Sequence, residues 1–293
     1  ISYDLNGDNN MEMIVVTTEK FYIYNSNGTV HKSHSHSDAG IANYSPTTNY
    51  LSTITGPAVT YFYPRNDAQV IIGGFDKLYL LHYDGTVDTF TVPTIQTDSY
   101  LIEQVIVDTS NEGQDKHLVF RFGSELWRVS LDLELKSMNT SLGFPIRNIN
   151  FLTEPVVGDV DQNGLNDIVV IDDHRLNIYS STGNVQSDFV LPIAQSDYVS
   201  GLSLIDLNND GQLEVGFDHL VNDPNYLNIH FYTHQGHIVS GWPIQMSSDS
   251  SLDIKNHIHR RLIGDFNNDN SLEIISHVLS DHSVSINVFS SNG

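Results

Sequence analysis

Four short stretches of the chain crowd oxygen-bearing residues at one spacing, and the chemistry that spacing suits is the binding of a hard cation. In DFNNDNSLE, residues 265–273, the donors are Asp265, Asn267, Asp269, Ser271 and Glu273. DLNGDNNME repeats the pattern at 4–12 with Asp4, Asn6, Asp8, Asn10 and Glu12. DVDQNGLND does so at 159–167 with Asp159, Asp161, Asn163, Leu165 and Asp167, and DLNNDGQLE at 206–214 with Asp206, Asn208, Asp210, Gln212 and Glu214. Positions 1, 3, 5 and 9 always bring a carboxylate or amide oxygen, while position 7 can turn its backbone carbonyl inward. Ca2+ takes six to eight oxygens at about 2.3–2.6 Å, whereas Zn2+ wants His or Cys. About four Ca2+ ions, one per loop, are therefore expected.

The elements that position these loops are strands. An EF-hand would carry a bidentate Glu at position 12, where this chain has Val15, Val170, Phe217 and Ser276. Each loop runs instead into a β-branched apolar stretch, such as IVVI at 168–171 or IISHVL at 274–279. A second strand and a polar Gly turn follow, ending at Gly28, Gly183, Gly236 and Gly293. Two ligand-poor copies lie between, at 60–87 and 105–130, with loop starts read at Tyr63 and Asp108. A fourth strand is expected after each Gly turn, near FVLPI at 189–193 and HIVSGWPI at 237–244.

Six such units without helical periodicity predict an all-β fold, a β-propeller of four-stranded blades in which radial closure protects the strand edges. Residues 1–293 read as one propeller domain, a piece of a larger chain, with a seventh blade possible outside it. GDVDQNGLNDIVV at 158–170 with the LNIYSSTG that follows, together with GDFNNDNSLEII at 264–275, resembles the FG-GAP repeats of integrin α-subunit propellers and their bacterial relatives. The resemblance implies calcium in the loop between the first and second strands of a blade.

The net charge of −23, from 36 acidic against 13 Lys and Arg residues, makes a compact chain repel itself. Four Ca2+ ions would reduce it to −23 + 8 = −15. The remaining negative surface argues against nucleic acid and against anionic membranes, and no apolar run is long enough for membrane insertion. There is no cysteine, hence neither disulfide nor thiolate chemistry. Weak carboxylate sites fill where Ca2+ is millimolar, so a secreted or cell-surface location is expected.

Two further clusters bear on ligands. KNHIHRR at 255–261 gathers His257, His259, Arg260 and Arg261 in a chain poor in bases, and alternation along a strand puts His257, His259 and Arg261 on one face. That face could line a concave site for an acidic glycan; the alternative is charge pairing with neighbouring Asp residues. His31, His34 and His36 could hold a transition metal or be a solvated Ser/His loop. A binding or adhesion module for glycan or protein is the expected function. The second class is a polysaccharide lyase for uronic-acid polymers, in which Arg would neutralise the sugar carboxylate and His or Tyr take a proton from the adjacent carbon; no hydrolase elbow, P-loop or zinc-protease motif occurs.

Overall fold

The computed structural model describes residues 2–17, 20–35, 58–60, 62, 67–74, 76–93, 102–109, 116–195, 197–222, 225–247, 261–280 and 283–291, and every regular element among them is a β-strand. The first sheet holds β1 (Ser2–Tyr3), β2 (Glu12–Val16), β3 (Lys20–Tyr24) and β4 (Val30–Ser35). The second holds β5 (Ala58–Thr60), β6 (Gln69–Gly73), β7 (Lys77–Leu81) and β8 (Val87–Thr91), and the third β9 (Ile102–Asp108), β10 (His117–Phe122), β11 (Glu125–Asp132) and β12 (Ser137–Thr140). The fourth comprises β13 (Val156–Gly158), β14 (Asp167–Asp172), β15 (Arg175–Tyr179) and β16 (Val185–Val190). The fifth comprises β17 (Tyr198–Ile205), β18 (Glu214–Asn222), β19 (Asn225–Tyr232) and β20 (Ile244–Ser247). The sixth has three strands among the described residues, β21 (Leu262–Gly264), β22 (Glu273–Ser280) and β23 (Ser283–Ser290).

Each sheet is an antiparallel meander in chain order, and strand composition follows position within it. Ile168 to Ile171 of β14 are buried on both faces, so an inner strand reads as a continuous apolar run. The outer β16, VQSDFV, alternates half-buried and exposed residues, as a strand with one wet face must.

The strands that bracket each loop pair in one register throughout: Tyr3 with Glu12, Thr60 with Gln69, Asp108 with His117, Gly158 with Asp167, Ile205 with Glu214 and Gly264 with Glu273. Partners are nine apart in all six (12 − 3 = 9, and likewise onward). This corrects the two ligand-poor starts. Position 1 is Tyr61, not Tyr63, in the second sheet and Thr109, not Asp108, in the third. Where no ligands mark the loop, only the pairing reveals its frame.

The Gly turns also recur. Gly28, Gly85, Gly183 and Gly236 have φ of 82°, 89°, 75° and 85°, and each donates its N–H to the carbonyl three residues earlier. In the third sheet Lys136 takes the left-handed place with φ 52°. The fourth strands differ from expectation: β16 starts at Val185, before FVLPI, and β20 begins only at Ile244. The stretch 237–243 is spent on turns, with a single bridge from Ile238 to Tyr232.

The chain divides into two compact units, Ile1–Asn148 and Ile149–Gly293. In the first, Leu5, Ile14, Phe21, Val70 and Leu81 pack together, and a second cluster unites Phe62, Leu80, Phe90, Leu118, Phe120 and Trp127. In the second, one cluster holds Val160, Val169, Ile171, Phe217 and Tyr232, another Leu207, Ile229, Phe231, Trp242 and Ile274. Gly216 lets sheet and ring approach: a Cβ there would lie 2.4 Å from the Phe231 ring.

Candidate functional site

The four acidic loops share one hydrogen-bonded frame. The position 1 carboxylate takes the N–H groups of positions 5 and 6: Asp8 and Asn9 on Asp4 at 3.1 and 2.9 Å, Asn163 and Gly164 on Asp159 at 2.9 and 2.9 Å. Asp210 and Gly211 do the same on Asp206 at 3.0 and 2.8 Å, and Asp269 and Asn270 on Asp265 at 3.0 and 2.9 Å. The side-chain oxygen at position 5 accepts from position 7, so Asn10, Leu165, Gln212 and Ser271 are held by their N–H at 2.7–2.8 Å. Positions 4 and 6 are left-handed in every loop, at Gly7 and Asn9, Gln162 and Gly164, Asn209 and Gly211, Asn268 and Asn270. Asn and Gly are the residues that reach that region at least cost, which is why they punctuate these stretches.

Position 9 ties the loop to the sheet. Glu12, Asp167, Glu214 and Glu273 each accept the N–H of position 2, from Leu5 at 2.9 Å, Val160 at 3.2 Å, Leu207 at 2.8 Å and Phe266 at 2.9 Å. Amide-to-carboxylate bonds join positions 3 and 5, as from Asn208 Nδ2 to Asp210 Oδ2 at 3.0 Å. The fifth and sixth loops touch through Asn209 Nδ2 and the Asn270 carbonyl at 3.0 Å.

The Asp159 loop supplies the test of whether a cation fits. Oxygens of Asp159, Asp161 and Asp167 lie within 4.8 Å of one another, and two ligands of one Ca2+ can stand up to about 5 Å apart. Asp167 is buried, one oxygen bound to Val160 N–H and Oδ1 without any hydrogen-bond partner. Burial first, then the Asp161 and Asp159 charges, push this carboxyl up to about 7 against the pull of the Val160 N–H and of the Gln186 amide, which donates to Asp161 Oδ2 at 3.2 Å. A buried carboxylate oxygen left so must find a proton or a cation. Burial likewise raises Glu214, while the Asn10 and Ser271 N–H groups hold Asp8 and Asp269 below the usual carboxylate range. Hard oxygens, no thiolate and an orphaned acceptor fit Ca2+. Asp159, Asp161, Asn163, the Leu165 carbonyl and Asp167 would hold it there, and the corresponding positions elsewhere.

Residues 159–217, which contain the Asp159 loop, match the FG-GAP-like repeat family. No curated protein sequence matches the chain significantly. Among solved structures, BBS1N in complex with ARL6DN is similar at 16% identity and TM-score 0.57, over 98% of this chain and 77% of that one. A streptogramin B lyase structure is similar at 13% identity and TM-score 0.50, over 97% of this chain and 82% of that one. The chain is a β-propeller carrying an FG-GAP-like repeat. The six sheets are its blades.

The basic cluster of the propeller divides between described and undescribed residues. His257, His259 and Arg260 lie outside the described residues. Arg261 stands immediately before β21, and its side chain is only 3% exposed. Its Nε lies 3.3 Å from Asp218 Oδ1, its Nη2 donates to Ser203 Oγ at 3.2 Å and to the Gly201 carbonyl, and the guanidinium sits 5.3 Å from the Phe231 ring centre. Burial pushes Asp218 up to about 6, against the Arg261 charge, and lowers Arg261. The neighbouring residue in β18, His219, faces the other way. Its Nε2 is 2.9 Å from Asp197 Oδ2 and its Nδ1 3.4 Å from His230 Nε2, a buried chain the sequence analysis missed. The available signal was the alternation of Phe217, His219 and His230, Tyr232 on facing strands. His31 stacks on Tyr83 with ring centres 4.0 Å apart, His34 lies in β4, and His36 is outside the described residues.

Proposed function

We propose that the propeller is a calcium-stabilised, extracellular binding module for a protein or glycan. The observation that carries the calcium part is the frame repeated in four loops, with Asp167 Oδ1 buried and unpartnered at the one where three carboxylates converge. Ions there would hold hairpins in shape, because each site is a turn of the scaffold repeated with it. The net charge of −23 favours the same reading, because ions bound only to the folded chain relieve its self-repulsion.

A binding role follows from what propellers offer, a rigid scaffold presenting loops. BBS1N is itself solved with a protein, ARL6DN. For this chain, protein or glycan ligands and a secreted or cell-surface setting accord with the acidic surface and with ion sites that need millimolar Ca2+. The test joins two measurements. Calorimetric titration of EDTA-stripped protein with Ca2+ should show about four sites, and Ca2+ should raise the melting temperature. Binding to immobilised glycans and candidate surface proteins should then require Ca2+. Protein that binds no Ca2+ refutes the stabilising role, and unsaturated product released from acidic polysaccharide would make it a lyase.

A further inference from the structure

Gln69 holds in the second blade the place that Glu12, Asp167, Glu214 and Glu273 hold in the four acidic loops. We infer that its side-chain amide stands in for the cation, so that the second and third blades stay folded without Ca2+ while the other four are conditional on it. This rests on the calcium reading above and adds to it a division of the molecule.

Gln69 is fully buried. Its Oε1 accepts the Phe62 N–H at 2.8 Å, the bond from position 2 that a carboxylate oxygen takes in the acidic loops. Its Nε2 donates to the backbone carbonyl of Asp67. In the corrected frame Asp67 is position 7, whose carbonyl a calcium loop would aim at the ion. An N–H therefore supplies the electropositive partner that the ion supplies elsewhere, from a neutral group that needs no counter-charge. Asp167 shows the contrasting case: the same position, equally buried, with one oxygen satisfied and the other orphaned. At Asp167 the carboxylate leaves an acceptor that a cation or a proton satisfies, and in the sixth loop Asn267 Nδ2 donates to the second oxygen of Glu273 at 3.0 Å, whereas the Gln69 amide carries its own donor.

The third blade reaches the same independence differently. Its frame puts Thr109, Asn111, Gly113, Asp115 and His117 at positions 1, 3, 5, 7 and 9, with no carboxylate at 1, 3, 5 or 9. The acid before the loop, Asp108, is buried and neutralised by Arg128 Nε at 3.0 Å. These two blades also share an apolar cluster, from Phe62 and Leu80 to Phe120, Trp127 and Val129. In the unit Ile149–Gly293, by contrast, every blade carries an acidic loop.

Hydrogen–deuterium exchange on the full chain, in excess Ca2+ and after chelation, tests this, with bound Ca2+ assayed by elemental emission before and after. Protection in β6, β7, β10 and β11 should be unchanged by chelation, while β2, β3, β14, β15, β18, β19, β22 and β23 should exchange about tenfold faster or more. Ions bound at the start and protection lost equally in all six blades would overturn the inference and leave the calcium reading intact. No bound ion in Ca2+-replete protein would overturn that reading itself. Gln69→Glu gives a second arm. It should weaken protection of β6 and β7 equally with and without Ca2+, since the sequence puts Tyr61, Tyr63 and Arg65 at positions 1, 3 and 5, and rescue by Ca2+ would refute the assignment of this blade as ion-free.

Discussion

Asp167→Asn should change the stability of the protein in opposite directions with and without calcium. Without the ion, the substitution removes one of three carboxylates whose oxygens lie within 4.8 Å of one another, so two of the three like-charge pairs disappear. Such a pair costs about 1 kcal/mol at the dielectric of water and about 3 at an effective value near 20. Asp161 is exposed and Asp159 half-buried, so the lower figure applies, and a gain of about 1–2 kcal/mol is expected. The amide keeps an oxygen for the Val160 N–H and turns its NH2 toward the two remaining acids. With Ca2+ at about a hundred times its dissociation constant, occupancy of a site contributes about 2.7 kcal/mol. Loss of a charged ligand that weakens binding about a hundredfold forfeits most of this, leaving the variant about 1 kcal/mol less stable than the parent. Urea denaturation in EDTA and in excess Ca2+ measures both, buffered about one unit above the carboxyl's value near 7 so that the parent is ionised. A change of the same sign in both conditions would refute the account of Asp167.

Three other outcomes follow from buried groups and close approaches. His230 is held down to about 4 from 6.5, chiefly by burial, so its neutral form stabilises the fold above 6.5 and that stability is lost as pH falls toward 4. Compared with His230→Phe, which can stack between Phe217 and Tyr232, the parent should lose about 3 kcal/mol across that window; parallel pH profiles would exclude the effect. Asp218 titrates the other way, its raised value giving stability that is present below 3.8 and lost as pH rises through about 6, so only the parent-minus-variant difference isolates His230. Arg261→Ala should cost about 3–5 kcal/mol in urea denaturation, because it strands Asp218 in the core, whereas Arg261→Met with Asp218→Leu should cost far less. An Arg261→Ala protein of unchanged stability would place the guanidinium in solvent. Gly73→Ala should destabilise by about 1–3 kcal/mol, since its Cβ would stand 2.4 Å from the Ile102 carbonyl, a backbone atom that cannot swing aside; an unshifted melting temperature would contradict that contact.

The loops and the fold class were legible because they are local. Oxygen donors at every second position and a β-branched run after them need no partner elsewhere in the chain to be recognised, and six repetitions of the unit implied sheets that cover one another. The frames of the second and third loops were not legible. Tyr63 and Asp108 were the natural starts by side chain, yet the pairings of Thr60 with Gln69 and of Asp108 with His117 put the loops elsewhere. Nor could sequence show that Arg261 meets Asp218, that Asp197, His219 and His230 form a chain, or that Arg147 and Trp127 share Glu125. Apart from Trp127, which stands two residues along β11 from Glu125, these partners come from separate segments of the chain, and their meeting depends on which face each strand turns to its neighbour. The HIVSGWPI stretch misled for a related reason: apolar content alone does not distinguish a strand from turns whose Trp242 is drawn into the core.

All six hairpins share one length, whether or not they carry acids. Gain or loss of an ion site in this chain therefore requires no insertion or deletion, only exchanges of side chains on a scaffold already cut to size. On the calcium reading proposed above, blades can differ in their need for the ion through side-chain exchange alone. In the second blade Tyr61, Tyr63, Arg65 and Gln69 stand at positions 1, 3, 5 and 9, so every ligand place differs from the acidic loops while the hairpin keeps their length.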